Sequence, residues 1–434
     1  MTFDPLLLVY AAPVLLIWML YSAKGRRGEQ QCTATMESAI ESGLIEPSSL
    51  HPKIDPSKCL GCGACARACP EGIVLCMIDG KAALVEPTHC IGHGACAEAC
   101  PFDAITLVFG TESRGVDIPH VGPDFQTNVP GIFIAGELGG MGLIRNAIEQ
   151  GRQAMESICK LDDIGRGDGL DVVIVGAGPA GFSASLAALE RKLRFVTLEQ
   201  DSFGGTVSHY PRGKLVMTAP VKLPIYGKAK LKEVTKEKLM HFWDTVRNET
   251  GVRIDYQERV EAITPTAQGF EVRTAGNSYE TRAVLLAVGR RGTPRKLDVP
   301  GEETSKVVYR LIDPEQYRGQ HVLVVGGGDS ALEAATSIAD EPDSTVTLSY
   351  RSEAFSRAKQ KNRDNVDQAE ASGRMRVLLS SNVKQIFDDR VEIEHQGQLE
   401  AVQNDAVIVC AGGILPTGFL KEVGIDVETK YGTA

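Results

Sequence analysis

The chain has 434 residues, 43% of them hydrophobic and 24% charged, which is enough for several domains with substantial cores. Its formal net charge of −10 argues against a nucleic-acid-binding protein, because phosphate contacts need clustered lysine and arginine. Eight of the eleven cysteines fall between Cys59 and Cys100, a close spacing that excludes a disulfide framework and suits metal ligation.

The N-terminal segment is apolar. Residues 6–23 carry no charge and are followed at once by Lys24, Arg26 and Arg27. A helix of that length rises about 27 Å, close to the thickness of the hydrocarbon core of a bilayer. We therefore expect residues 1–24 to form a single transmembrane anchor in the inner membrane, with the catalytic domains facing the cytoplasm because the positive charges follow the apolar run. Pro13 and the short length leave a peripheral hairpin or an interfacial anchor as alternatives.

The first cysteine motif occupies residues 59–70 and reads CLGCGACARACP. This is the C-x2-C-x2-C-x3-C-P pattern, in which three cysteines bind one iron–sulfur cluster and the fourth binds a second cluster. Zinc binding is the alternative for such a motif. The predicted ligands of the first cluster, a [4Fe-4S] centre, are Cys59, Cys62, Cys65 and, from the second motif, Cys100.

The second motif, residues 90–101, reads CIGHGACAEACP and has a histidine where the pattern expects a cysteine. The second cluster is predicted to use Cys69, Cys90 and Cys96, with His93 as the candidate fourth ligand. Ligation by His93 would give a [4Fe-4S] cluster of raised potential, whereas a vacant corner would favour a [3Fe-4S] cluster. A lost cluster beside a solvent-facing His93 is the remaining alternative.

Residues 51–108 resemble the bacterial two-cluster ferredoxin domain, a small α+β fold, and residues 25–50 are predicted to be a linker to it. Cys76 lies in the sequence GIVLCMI and is predicted to be a core residue of a strand. Cys32, Cys159 and Cys410 have no obvious partner and are interpreted as buried small side chains or incidental thiols.

From about residue 110 onward, short apolar runs alternate with helical stretches, which predicts an α/β fold with parallel strands buried on both faces. The predicted strands are residues 131–135, 171–175, 194–198, 283–288, 321–325, 345–349 and 406–410.

The first of two nucleotide-binding signatures spans residues 171–181, DVVIVGAGPAG. Gly176, Gly178 and Gly181 form G-x-G-x-x-G between a strand and a helix, and Glu199 ends the next strand. The glycines allow the backbone to approach a pyrophosphate at the helix N-terminus, and the acid binds a ribose hydroxyl. Its position in the chain assigns this signature to FAD.

The second signature spans residues 321–333, HVLVVGGGDSALE, with Gly326, Gly328 and Ala331 at the three motif positions. No carboxylate ends the following strand; Arg351 is there instead, with Arg357 nearby. Arginine at this place accommodates a 2′-phosphate, which favours NADPH over NADH. If Arg351 is only a solvated residue at a strand end, NADH remains open.

Residues 326–334 (GGGDSALEA), 287–302 and 406–420 resemble the thioredoxin-reductase-like flavoproteins. The resemblance implies two Rossmann-like domains, with an FAD domain (169–292 and 403–434) interrupted by an NAD(P)H domain (293–402). Residues 307–320 contain no cysteine, so the dithiol chemistry of thioredoxin reductases is excluded there. The ferredoxin–NADP reductase and bacillithiol-disulfide-reductase-like branches are the closer resemblance.

The resemblance also implies a strand and a glycine–acid motif at the FAD ribityl chain. We find that piece upstream, in residues 127–140 (TNVPGIFIAGELGG), with Gly136 and Glu137 as its cofactor-binding residues. We therefore predict that the FAD domain is circularly permuted, with residues 109–160 as its displaced part. This order is expected to bring the ferredoxin domain close to the flavin.

Taken together, these features predict a membrane-anchored iron–sulfur flavoprotein oxidoreductase. It would pass electrons between NAD(P)H, FAD, the clusters and a one-electron redox protein or membrane carrier, as a homodimer. Electron transfer requires no acid–base residue, so none is assigned; His209 and Tyr210 lie either near the flavin or in an ordinary loop. A reductase of a low-molecular-weight disulfide and a non-catalytic redox sensor are the alternative functions.

Overall fold

The computed structural model describes residues 5–41, 45, 47, 50–90, 92–112, 114–140, 142–210, 212–217, 221–229, 233–290, 293–356 and 358–433. The chain forms two compact units. The first comprises Met1–Thr111 with Gly432–Ala434, and the second comprises Glu112–Tyr431. The chain therefore passes from one unit to the other twice.

The first unit contains a long helix and a small α+β arrangement. Its two antiparallel strand pairs are β1 with β4 and β2 with β3. Each of the two short helices follows a glycine with left-handed backbone, Gly63 (φ 68°) and Gly94 (φ 79°), a conformation that glycine adopts without steric cost. The elements are α1 (Pro5–Glu41), β1 (His51–Ile54), α2 (Ala64–Ala68), β2 (Leu75–Ile78), β3 (Lys81–Leu84), α3 (Ala95–Glu98) and β4 (Ile105–Val108).

The structure contradicts the predicted membrane anchor. In the part of the chain that it describes, no helix is both long enough and apolar enough to cross a bilayer. Helix α1 does not end with the apolar run but continues through Lys24, Arg26 and Arg27 to Glu41. Residues 1–4 and most side chains of residues 5–21 lie outside the description. The predictions of a transmembrane helix and of an inner-membrane location are therefore wrong, and the predicted membrane partner has no support.

Cys76 is a buried residue of β2, as predicted, but the interpretation of Cys32 as a cysteine without a partner is wrong. Cys32 in α1 and Cys76 in β2 form a disulfide, with their Cα atoms 6.0 Å apart. The sequence gives no sign of this pairing, because the two positions have a sequence separation of 44 and the cysteine motifs lie between and beyond them. Cys159 and Cys410 form no disulfide and are partly buried.

The second unit is α/β, as predicted. Its helices are α4 (Ile144–Ile158), α5 (Pro179–Glu190), α6 (Lys236–Thr250), α7 (Asp329–Ala339), α8 (Gln360–Ala371) and α9 (Thr417–Glu422). Its strands as far as residue 286 are β5 (Val116–Pro119), β6 (Ile132–Ile134), β7 (Leu170–Val175), β8 (Phe195–Glu199), β9 (Leu215–Met217), β10 (Val221–Leu223), β11 (Gly227–Ala229), β12 (Glu233–Thr235), β13 (Asp255–Tyr256), β14 (Val260–Thr266), β15 (Gly269–Thr274) and β16 (Ser278–Leu286).

The remaining strands are β17 (Thr293–Pro294), β18 (Val307–Val308), β19 (His321–Val325), β20 (Thr345–Ser349), β21 (Met375–Leu378), β22 (Ser381–Ile386), β23 (Arg390–His395), β24 (Gln398–Gln403), β25 (Ala406–Val409), β26 (Gly413–Ile414) and β27 (Val427–Lys430).

Two parallel sheets organise this unit. In the larger sheet the order is β13–β8–β7–β16, and β6 pairs in parallel with the other side of β16. Strands β15 and β14 extend it in antiparallel fashion from the first half of β16. The second sheet has the order β18–β25–β19–β20–β21, all parallel. In both sheets the side chains of the inner strands are almost fully buried, because other parts of the chain pack on both faces of each sheet.

The segment around β6 is therefore built into the larger sheet although it precedes β7 in the chain. Ile132, Phe133 and Ile134 pair with Val284, Leu285 and Leu286. Helix α4, which follows β6, packs against α5 so closely that a Cβ added to Gly151 would lie 2.0 Å from the carbonyl oxygen of Ala180.

Candidate cofactor sites

The sulfur atoms of the first predicted ligand set receive backbone hydrogen bonds. The N–H of Ala82 donates to Cys59 Sγ over 3.5 Å, and the N–H of Ala104 donates to Cys100 Sγ over 3.4 Å. The bond from Ala82 lowers the pKa of the Cys59 thiol. Backbone donors of this kind stabilise negative charge on sulfur and tune the potential of a bound cluster.

Cys65 has a raised pKa, first because it is buried and then because Cys59 and Cys100 add negative charge nearby. Cys62 is the exposed member of this set. Cys59 and Cys65 come from the first motif and Cys100 from the second, so the fold brings cysteines of both motifs together at this place.

A second group of predicted ligands lines one cavity. Cys69 from the first motif and Cys90, His93 and Cys96 from the second surround a space of about 360 Å³, including its opening to solvent. Pro52, Val74 and Leu107 add an apolar wall to this cavity.

Burial disfavours the ionised form of two thiols of this cavity, Cys90 and Cys96. Burial raises the pKa of Cys90 to about 11, with further contributions from Cys96, Cys69 and Glu71. Burial likewise raises the pKa of Cys96, with Cys69 and Cys65 contributing. A site that gathers thiols in an apolar setting needs positive charge to keep them ionised, and iron supplies it by displacing the protons.

His93 has a carboxylate partner that the sequence did not suggest. Its Nε2 atom lies 3.5 Å from Oε1 of Glu71, and both side chains line the cavity with about a quarter of their surface exposed. A histidine that binds metal commonly gives its other ring nitrogen to a carboxylate, which fixes the tautomer and the ring orientation. The available signal was the placement of Glu71 directly after the Cys69-Pro70 pair.

Over the residues that the structure describes, no three or more His, Cys, Asp or Glu side chains are placed to hold a single metal ion. In a cubane, by contrast, each thiolate binds a different iron atom, so its ligands surround a volume rather than converge on one point. The residues lining the cavity are of the type that such a cluster requires.

The FAD signature forms the predicted strand, turn and helix. Gly176 has φ 103°, and a Cβ there would lie 2.6 Å from the carbonyl oxygen of Ala287; at Gly181 it would lie 1.8 Å from that of Gly176. Gly178 caps α5 without a side-chain hydrogen bond, which leaves the first N–H groups of the helix for a phosphate ligand. The turn therefore fits a dinucleotide pyrophosphate.

Glu199 lies at the end of β8, next to that turn. Its Oε2 accepts the N–H of Ala177 at 2.7 Å and its Oε1 accepts the N–H of Asp201 at 3.0 Å. Burial raises its pKa, against the effect of these two donors. Each carboxylate oxygen retains a further lone pair, so the group is positioned to accept a ribose hydroxyl.

The glycine–acid motif after β6 meets the same helix. Gly136 has φ 87°, its N–H donates to Gln150 Oε1 at 2.8 Å, and a Cβ there would lie 3.0 Å from that of Ala180. Glu137 is close enough to Arg290 to oppose the lowering of the arginine pKa that burial causes. The motif thus adjoins the N-terminal turn of α5.

The second signature also has the strand, turn and helix form. Gly326 has φ 144°, and a Cβ there would lie 2.4 Å from the carbonyl oxygen of Cys410. Ala331 is fully buried against this turn, and Gly328 caps α7 without a side-chain hydrogen bond. Arg351 is exposed two residues after β20, and Arg357 lies outside the described residues.

His209 and Tyr210 are occupied in local interactions. His209 Nε2 lies 3.1 Å from Asp201 Oδ2, and the carbonyl oxygen of Tyr210 accepts a hydrogen bond from Lys236 Nζ at 2.8 Å.

Comparisons with known proteins agree with this division. Residues 173–433 match the family described as pyridine nucleotide-disulphide oxidoreductase, and residues 51–101 match a 4Fe-4S dicluster domain. A ferredoxin–NADP reductase of Thermus thermophilus is 31% identical over 274 residues, covering 60% of this chain and 78% of that protein. The bacilliredoxin reductase Bdr of Bacillus subtilis is 24% identical over 266 residues, covering 60% and 82%.

Among solved structures, the bacillithiol disulfide reductase Bdr of Staphylococcus aureus is similar with a TM-score of 0.53 and 24% identity, over 59% of this chain and 80% of that one. At this identity the likeness concerns the fold.

Proposed function

The chain belongs to the pyridine nucleotide-disulphide oxidoreductase family and carries a 4Fe-4S dicluster domain, and we propose that it passes electrons between NADPH, FAD, two iron–sulfur clusters and a one-electron redox protein. The observation that carries the proposal is the presence, in one chain, of two dinucleotide turns and of cysteines from both motifs gathered at ligand positions. Similarity to ferredoxin–NADP reductase supports this reaction type.

FAD, when bound, would link hydride transfer, which moves two electrons together, to the transfer of single electrons. The residues of this chain position it: Gly176, Gly178 and Gly181 hold the pyrophosphate at α5, and Glu199 holds the ribose. We propose the circular permutation as well, with residues 109–160 completing the FAD domain through Gly136 and Glu137. The pairing of β6 with β16 and the close contact of α4 with α5 support it.

For the nicotinamide nucleotide, Gly326, Gly328 and Ala331 would hold the pyrophosphate at α7. Arg351 would bind the 2′-phosphate that distinguishes NADPH from NADH, with Arg357 as a second candidate. The absence of any carboxylate at the end of β20 supports this preference.

The ferredoxin unit would hold a [4Fe-4S] cluster on Cys59, Cys62, Cys65 and Cys100. A second cluster would occupy the cavity of Cys69, Cys90 and Cys96, with His93 as its fourth ligand. The pair that His93 forms with Glu71 supports ligation through Nδ1, because Nε2 is the atom directed at the carboxylate.

The test is turnover with NADPH and a one-electron acceptor, cytochrome c or a small ferredoxin, in the purified holoprotein. Electron transfer predicts rapid acceptor reduction. Sedimentation of the same sample tests the homodimer that the sequence analysis predicts. Failure to reduce either acceptor while the flavin is bleached would contradict the function.

Reduction of a low-molecular-weight disulfide at the flavin is the second candidate, favoured by the similarity to the Bdr proteins. NADPH oxidation with oxidised bacillithiol, and none with one-electron acceptors, would select it instead.

A further inference from the structure

The disulfide between Cys32 and Cys76 attaches α1 to the β2–β3 hairpin. A second attachment lies beside it: the N–H of Asp79, in the turn of the hairpin, donates to Glu29 Oε1 at 2.6 Å. Glu29 and Cys32 are three residues apart and share one face of α1. Cys76 is 7% exposed, whereas Cys32 is only partly covered, so Cys32 is the more accessible residue of the pair.

The same hairpin contacts the predicted ligands of the first cluster. Cys76 pairs with Ala83 across the hairpin, and the adjacent Ala82 donates its N–H to Cys59 Sγ. Paired Cα atoms in antiparallel strands lie about 5 Å apart. Cys76 is therefore one cross-strand pair and one residue away from Ala82, whose N–H donates a hydrogen bond to the sulfur of a predicted cluster ligand.

The remaining chemistry of this unit requires reduced cysteines. None of the seven predicted cysteine ligands forms a disulfide in the structure, as ligation through thiolates requires; they are Cys59, Cys62, Cys65, Cys69, Cys90, Cys96 and Cys100. Compartments that keep thiols reduced contain few permanent disulfides, and those present are mostly catalytic or redox-sensing. A disulfide beside seven ligand thiols therefore suits a redox function better than a purely structural one.

We propose that Cys32–Cys76 is a redox-active disulfide, reduced through the first cluster and serving as a two-electron outlet to a disulfide substrate. This inference rests on the proposed function for its electrons. NADPH is oxidised to NADP⁺, and its two electrons, delivered singly, together with two protons cleave the S–S bond to give two thiols. The Cys32 thiolate then attacks the substrate disulfide, Cys76 resolves the mixed disulfide, and the substrate leaves as two thiols while the Cys32–Cys76 bond re-forms.

The experiment quantifies the linked peptide. Anaerobic holoprotein receives NADPH in two-electron portions, is quenched in acid, alkylated and digested, and the Cys32–Cys76 peptide pair is measured by mass spectrometry. We expect a fall of at least tenfold that accompanies bleaching of the clusters, and faster hydrogen exchange in residues 26–36. The Cys159→Ser variant should behave like the parent, and Cys32→Ser should retain the clusters with no linked peptide.

A parallel titration with limiting dithionite separates the two proposals. If NADPH leaves the clusters oxidised but dithionite reduces them and opens the linkage, the proposed function fails and the redox disulfide is supported. If the linkage persists while either reductant has fully reduced the clusters, the inference is overturned. It is equally overturned if no linkage forms after incubation with oxidised glutathione.

Discussion

Nε2 of His93 lies 3.5 Å from Oε1 of Glu71, on the wall of the cavity that Cys69, Cys90 and Cys96 also line. The pair gives the one non-cysteine position of the two motifs a defined orientation. Substitution of His93, the proposed ligand, should therefore have a different effect from substitution of its partner Glu71.

Replacing His93 by Cys would restore the full cysteine pattern. We expect a [4Fe-4S] cluster whose midpoint potential is lower, by on the order of 100 mV or more, because a thiolate adds negative charge where imidazole is neutral. His93→Ala should instead give the EPR signal of an oxidised [3Fe-4S] cluster. Redox titration followed by EPR measures both, and His89→Ala is the control. A wild-type [3Fe-4S] signal unaffected by His93→Ala would contradict ligation by His93.

Glu71→Ala should reduce iron retention at the second cluster by roughly 10–100-fold, because the imidazole loses the partner that orients it. The measurement is iron content and the EPR intensity of that cluster after challenge with a chelator. Glu86→Ala is a matched control, since Glu86 pairs with His89 at 2.8 Å in the same unit but does not line the cavity. Equal losses in the two variants would contradict a specific effect of Glu71.

Glu199→Ala should weaken FAD binding by roughly 10–100-fold, because the FAD ribose loses its proposed acceptor and hydrogen bonds to a charged group contribute about 1.5–3 kcal/mol. The N–H groups of Ala177 and Asp201 also lose the acceptor that holds this turn. Flavin fluorescence during titration of the apoprotein measures the affinity. Glu249→Gln, on an exposed part of α6, should bind FAD normally. Unchanged affinity in Glu199→Ala would remove this residue from the site.

The raised pKa of Glu199 also predicts a pH dependence in the FAD-free protein. Because the folded state favours the protonated acid, the stabilisation is complete below the ordinary value of 4.5 and is lost as pH rises through the folded pKa. The free energy of unfolding of the apoprotein should therefore fall more steeply above pH 4.5 than that of Glu199→Gln. Parallel pH profiles for the two proteins would show that burial of this carboxylate has no such effect.

Gly151→Ala tests whether the segment after β6 is part of the FAD domain. The new Cβ would lie 2.0 Å from the carbonyl oxygen of Ala180, so α4 and α5 must separate. We expect a loss of about 1–3 kcal/mol in the free energy of unfolding and weaker FAD retention. Gly169→Ala, with no atom within 4 Å of the new Cβ, is the control. A stability loss without any loss of flavin would argue that α4 does not support the FAD site.

Arg351→Gln should raise the KM for NADPH at least tenfold and leave the KM for NADH nearly unchanged, because only NADPH has the 2′-phosphate. Steady-state kinetics with both nucleotides measure the effect. Arg374→Gln, another exposed arginine of the same domain, should alter neither value. Equal changes for both nucleotides would assign Arg351 to a general electrostatic role.

The fold class could be predicted because short apolar runs bounded by glycine have few alternatives to buried parallel strands. The runs at 171–175, 321–325 and 345–349 are strands in the structure, and Gly176 and Gly326 adopt the positive φ values that their motifs require. Residues 131–135, although far from their sheet partners in sequence, contain β6.

The errors have a common physical cause. The hydropathy of residues 6–23 concerns that segment alone. It does not reveal that α1 continues through charged residues to Glu41, or that a disulfide between Cys32 and Cys76 attaches α1 to β2. That disulfide and the Glu71–His93 pair are contacts made by tertiary folding. The sequence places Glu71 beside Cys69-Pro70, but it does not show either pairing.

The most direct test of electron transfer through this chain is anaerobic titration of the holoprotein with NADPH, followed by flavin absorbance and EPR. The proposal predicts that flavin bleaching is accompanied by the signal of a reduced [4Fe-4S] cluster, in an amount set by the NADPH added. Complete flavin reduction with the clusters still oxidised, in a sample whose clusters dithionite does reduce, would contradict it.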